Sequence, residues 1–128
     1  YGVDRGLWPA IGSNQQMQAL TWIAWSAVTL GSTIRQCFVN GPWAPEEMRN
    51  AKQLEAARGR FDELLSIIDR HLAGRDYITG ADFCLADCYI GSAIGWVAGV
   101  LEHDMSKTPN LGAYVGRVMA RDGARAMD

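Results

Sequence analysis

The stretch Cys88–Leu101 runs for 14 residues without a charge, and it limits the folds open to this chain more than any other feature. Crossing a bilayer takes roughly 18–20 apolar residues, so the run is too short to span and reads as a buried helix. A helix apolar on nearly all sides needs neighbours on every side. Leu85–Leu101 is therefore expected at the centre of a helical bundle, with Trp96 as core. Gly91, Gly95 and Gly99 recur along one line of it, leaving a shallow track where a neighbour can approach closely. Each glycine costs up to about 1 kcal/mol of helix propensity against alanine, which close packing would offset.

The flanking segments carry helical periods of their own. Ser13 followed by Gln16 is a capping-box pattern. Behind it Met17, Leu20, Ala24, Ala27, Gly31, Ile34 and Phe38 alternate spacings of three and four, one face of a helix over about seven turns. Gly41-Pro42 ends that helix. Pro45 fits the first turn of a second, with Glu46 and Glu47 favourable against its dipole. Its buried stripe is Ala51, Leu54, Phe61, Leu65, Ile68 and Leu72, with Lys52, Glu55, Arg58, Asp62 and Arg70 on the other side, and Gly74 closes it. Tyr77 and Ile78, in the loop that follows, are expected in the core. Pro109 opens a shorter helix with Leu111, Tyr114, Val115 and Val118 inward and Arg117 and Arg121 outward. The expectation is one all-α domain over residues 1–128, a helical bundle of four main helices plus a short C-terminal fragment.

Charge and cysteine usage exclude several functions. Twelve basic residues stand against 14 acidic ones, for a net charge of −2. No Lys/Arg cluster supports nucleic-acid binding, and no basic amphipathic helix supports membrane binding. Three cysteines, Cys37, Cys84 and Cys88, make no disulfide framework and suit a reducing cytoplasm. Neither His71 nor His103 has paired spacing with Cys84 and Cys88, so no metal site is expected and the thiols read as buried and inert. His71 fits a helix C-terminus, and His103, between Glu102 and Asp104, fits a solvated loop. No nucleophile–base pair can be argued from spacing, so no catalytic residue is expected in this chain.

Two features point to function. On the first helix Gln18, Trp22, Trp25, Thr29 and Gln36 lie opposite the Leu20/Ala27/Phe38 face. Large aromatics among glutamines and threonine usually meet another domain, another subunit or an apolar ligand. Gln18, Trp22 and Trp25 are thus the candidate substrate-binding residues. The second feature is Gly80-Ala81-Asp82-Phe83-Cys84-Leu85-Ala86-Asp87, directly before the central helix. A buried helix start cannot borrow water for its free N–H groups, so a cap residue and a carboxylate three positions later must satisfy them. Cys84 and Asp87 are in those positions, with Phe83 and Cys88 placed for a hydrophobic staple.

This capping segment closely resembles that of the C-terminal domain of cytosolic glutathione transferases. Pro109-Asn110-Leu111 with Tyr114, Val115 and Arg117 is similar to the family's penultimate helix. Gly6-Leu7-Trp8-Pro9 and Trp22-Ile23-Ala24-Trp25 are similar to the first helix of bacterial members. The chain departs from the pattern in four places. Cys84 replaces Ser or Thr at the cap, and Cys88 replaces a branched aliphatic. Leu30-Gly31-Ser32 stands where some bacterial members have His-Lys, and Asp122-Gly123-Ala124 replaces an Arg-Pro-Ala continuation after Arg121. The resemblance implies a cytoplasmic homodimer whose N-terminal thioredoxin-like domain, absent from this chain, carries the glutathione site and the activating residue. Glutathione would be the cosubstrate of the complete protein, with nothing bound by this chain alone. The chain would supply a hydrophobic wall for a small electrophile and part of the dimer interface. The other reading the resemblance allows is a non-catalytic docking module of the same fold.

Overall fold

The computed structural model describes residues 2–122. The expected C-terminal fragment and Gly123-Ala124 lie outside them. Four helical rods make up the fold. The first joins α1 (Asn14–Trp25), a π-helical turn (Ser26–Leu30) and α2 (Gly31–Asn40); the others are α3 (Ala51–His71), α4 (Leu85–Val100) and α5 (Pro109–Met119). Among the described residues the only β pairing is a single antiparallel bridge between Tyr77 and Gly80.

Helix starts follow the side chains that can satisfy free N–H groups. Ser13 Oγ accepts from Gln16 N–H at 3.1 Å, and Asn50 Oδ1 accepts from Gln53 N–H at 3.0 Å. The second cap corrects the expectation at Pro45. Residues Glu46–Met48 form only a 3₁₀ turn, and the α-helix begins where Asn50 offers an acceptor. Asp69, on α3, reaches across to α5 and accepts from Leu111 N–H at 2.9 Å and from the Asn110 side-chain amide at 3.2 Å. The start of α5 is thereby held by its neighbour.

The core is built from Ala19, Leu30, Cys37, Phe61, Leu64, Leu65, Ile68, Leu72, Ile78, Ile90, Ile94, Leu111, Tyr114 and Val118, with others at its edge. Ile78 is fully buried as expected, and Tyr77 half-buried. The first rod differs from expectation in which face turns inward. Ala19, Ser26, Leu30 and Cys37 are buried, whereas Met17, Leu20 and Val28 are exposed. The central helix α4 is also not enclosed. Leu85, Tyr89 and Trp96 are exposed, so the expectation of Trp96 as core is overturned: three neighbouring rods cannot cover all sides of α4.

Two of the three glycines on the track meet a neighbour closely. A Cβ on Gly91 would lie 2.9 Å from Val118, and one on Gly95 would lie 3.0 Å from Val115, so α5 seats its valines against these two residues. Gly99 has nothing within 4 Å. We therefore expect opposite outcomes for two alanine variants in urea unfolding. Gly91→Ala should cost about 1–2 kcal/mol, overpacking outweighing the gain in propensity. Gly99→Ala should gain up to about 1 kcal/mol. Equal shifts in one direction would contradict the seating of α5.

Candidate functional site

The capping segment forms a buried polar knot. Asp87 is 0% exposed. Its Oδ2 accepts from Cys84 N–H at 2.8 Å, and its Oδ1 accepts from Ile78 N–H at 2.8 Å and Tyr114 O–H at 3.0 Å. The Cys84 side chain faces the Asp87 N–H, completing the reciprocal cap. Burial, followed by the adjacent Asp87 carboxylate, pushes the Tyr114 hydroxyl far up, so it remains a donor. One carboxylate thus ties the start of α4 to the preceding loop and to α5. Phe83 sits edge-on to Tyr77, with the Arg121 guanidinium 3.7 Å over its ring. Cys88 is exposed.

Trp22 and Trp25 flank the inward face of the first rod rather than lying opposite it. Both are half-buried and packed against the core, and their rings meet edge to face at 5.3 Å. Trp22 also lies 4.4 Å from the His71 ring, whose Nε2 is 2.7 Å from the Ile78 carbonyl oxygen. Gln18 is exposed. His103 corrects the expectation of a solvated residue. Its side chain is only 3% exposed, with Nδ1 2.8 Å from Asp62 Oδ1 and Nε2 3.1 Å from Thr108 Oγ1.

Asp62, His103 and Thr108 are aligned as in a nucleophilic relay, but Thr108 is 1% exposed and its hydroxyl cannot reach a substrate. Burial is the main influence on all three thiols and raises each of them, which favours the unreactive neutral form. No group of three His, Cys, Asp or Glu side chains able to hold a metal occurs among the described residues. Nor is any helix among them long and apolar enough to cross a membrane.

The surface carries two uncovered apolar strips, all of whose residues but Val28 were expected in the core. One is Met17, Leu20 and Val28 on the first rod; the other is Leu85, Tyr89 and Trp96 on α4. A third exposed group, Trp43, packs on Phe38 in the turn after α2. The signal for these strips was present. A helix apolar on every side, in a domain with only three other rods, has to leave something bare.

These features coincide with what the comparisons with known proteins return. The family model for the C-terminal domain of glutathione S-transferase matches residues 51–117, just over half of the chain. Glutathione S-transferase GST-4.5 of Xanthomonas campestris pv. campestris is 30% identical over 101 residues, covering 77% of this chain and 48% of that protein. The chain thus spans about half the length of this relative. Among solved structures, a glutathione transferase from Methylococcus capsulatus superposes with a TM-score of 0.83 at 27% identity, covering 98% of this chain and 58% of that one. A sphingomonad glutathione S-transferase complexed with glutathione superposes at 0.76 with 32% identity, covering 97% and 58%. With the capping knot, the four rods and the family match in agreement, the chain belongs to the glutathione S-transferase C-terminal domain family.

Proposed function

We propose that this chain is the C-terminal half of a bacterial-type, cytoplasmic, dimeric glutathione transferase and supplies the apolar wall against which an electrophile is held. The observation carrying this reading is the pair of uncovered apolar strips, Met17/Leu20/Val28 and Leu85/Tyr89/Trp96. Surfaces of this kind mark contacts with a domain, a subunit or an apolar ligand. Gln18 is exposed and Trp22 and Trp25 are half-buried, and we assign their open edges to the same wall or to the subunit contact. Glutathione would be bound and ionised on a preceding thioredoxin-like domain. Its thiolate attacks the electrophile, the carbon–sulfur bond forming as the leaving group departs. This chain contributes position, which converts an encounter of two solutes into a reaction between held groups.

The test joins this chain to the N-terminal half of the Xanthomonas campestris relative and measures conjugation of glutathione to a chlorodinitrobenzene. The chain alone is expected to give no turnover above the solution rate, since none of its groups activates a thiol. The chimera is expected to dimerise and conjugate. Turnover by the chain alone, or a folded chimera with neither property, would overturn the reading.

A further inference from the structure

A cavity of about 140 Å³ lies between α3 and the connection from α4 to α5. Phe61 and Leu101, both buried, give it an apolar lining. Charged groups of both signs complete the lining, Arg58 and Asp62 from α3 and Glu102 and Lys107 from the connection. Opposite charges one helical turn apart normally pair. Arg58 and Asp62 have that spacing and form no ion pair. Asp62 is drawn instead to His103, with Oδ1 2.8 Å from the imidazole Nδ1. Arg58 is left with a buried Nε that has no hydrogen-bond partner. Buried donors without an acceptor are costly, and few persist.

The connection is equally unusual. Glu102 stands at φ 56°, a left-handed conformation that the end of a helix usually gives to glycine. Its N–H donates to the Gly99 carbonyl at 3.2 Å, and the His103 N–H donates to the Ala98 carbonyl at 2.9 Å. The Glu102 carboxylate forms no ion pair among the described residues. Asp104, also at the cavity, is already engaged. The Ser106 side chain and N–H hold its carboxyl below the usual range.

A simple anion in this cavity would meet the carboxylates, and a simple cation would meet Arg58 and Lys107. A zwitterion answers both. An apolar cavity of about 150 Å³ holds benzene, so there is room for about six heavy atoms. We propose that this cavity binds a small free α-amino acid about the size of alanine. Its carboxylate would lie on Arg58 and Lys107, its ammonium on Asp62 and Glu102, and its side chain against Phe61 and Leu101. The inference goes beyond the transferase reading and does not depend on it. The bound molecule would tie α3 to the connection and stabilise the chain by mass action.

The test needs neither glutathione nor turnover. L-alanine, propionate and alaninol are titrated into the ¹⁵N-labelled chain, following the Arg58 Nε–H signal and the backbone N–H signals of Glu102 and Lys107. Saturable shifts are expected with L-alanine, at a Kd of about 1 mM. Propionate lacks the ammonium and alaninol the carboxylate, so each should bind roughly tenfold more weakly or worse. L-alanine should also raise the urea midpoint, which neither analogue should match. Glu102→Gln should weaken L-alanine binding roughly fivefold. Glu102 is exposed, so that variant should keep its helical circular dichroism. Arg58→Gln should abolish binding, and Arg58→Lys should recover part of it. Propionate binding as tightly as L-alanine would mean a simple anion site, and alaninol doing so would mean a simple cation site. Those results, no saturable shift with L-alanine, or a folded Glu102→Gln variant that binds it normally would each overturn the proposal.

Discussion

Asp87→Ala is expected to cost about 3–5 kcal/mol, because one buried side chain satisfies three donors. The carboxylate accepts from the N–H groups of Cys84 and Ile78 and the hydroxyl of Tyr114, and all of it lies out of solvent. Alanine would leave three buried donors without an acceptor, each worth about 1–3 kcal/mol. The three are coupled through one side chain, so the total falls below their sum. Against a typical stability of about 5–15 kcal/mol this brings the domain close to unfolding. Intermediate variants grade the effect. Tyr114→Phe removes one donor and should cost about 1 kcal/mol. Cys84→Ser replaces a weak sulfur acceptor facing the Asp87 N–H by a hydroxyl and should gain about 0.5 kcal/mol. Urea midpoints should therefore fall from Cys84→Ser through wild type and Tyr114→Phe to Asp87→Ala. An Asp87→Ala midpoint equal to wild type would mean that the carboxylate does not hold these elements together.

That knot was largely legible in the sequence because its signal is local. A cap and a carboxylate three residues on, ahead of an apolar run, state their geometry within one turn of helix. The reach of Asp87 to Ile78 and Tyr114 was not legible, since those partners lie 9 and 27 residues away. His103 departs from its expected place for the same reason. Beside Glu102 and Asp104 it looks solvated, but Asp62 and Thr108 meet it only once α3 and the α4–α5 connection are assembled.

The first rod shows a different limit. It carries two candidate stripes, and the one richer in apolar side chains, Met17/Leu20/Ala24/Ala27, is not the one that packs inward. The buried stripe passes through Ser26, whose hydroxyl has no hydrogen-bond partner, so it is the less hydrophobic of the two. It also passes through the π-helical turn at Ser26–Leu30. A wider turn shifts the phase of everything after it, and a wheel drawn at a constant 3.6 residues per turn misplaces residues on either side. Nor can periodicity say whether an apolar stripe is covered or left bare, because the two have the same composition.

The two tryptophans of this rod separate the possibilities most sharply. Truncating Trp22 and Trp25 together is expected to cost the chain about 3–4 kcal/mol. A fully buried aromatic truncated to alanine costs about 3–5 kcal/mol; each of these is half-buried, so about 1.5–2.5 kcal/mol apiece is reasonable. Their rings touch at 5.3 Å, so the pair should lose somewhat less than the sum of the two singles. Trp22 has a second consequence. It covers the His71 ring, which contacts the Ile78 carbonyl, and the N–H of Ile78 binds Asp87. Its loss therefore loosens the loop feeding the capping knot, and Trp22→Ala should be the costlier single variant. The matched control is the triple variant Met17→Ser, Leu20→Ser and Val28→Ser on the exposed strip. Surface substitutions of this kind stay within about 0.5 kcal/mol each, so the chain should keep its urea midpoint, whereas the chimera with a thioredoxin-like half should lose assembly and turnover. The reverse pattern, a stable tryptophan double variant and an unfolded triple variant, would show that the rod is rotated from the orientation described and that its bare strip is core.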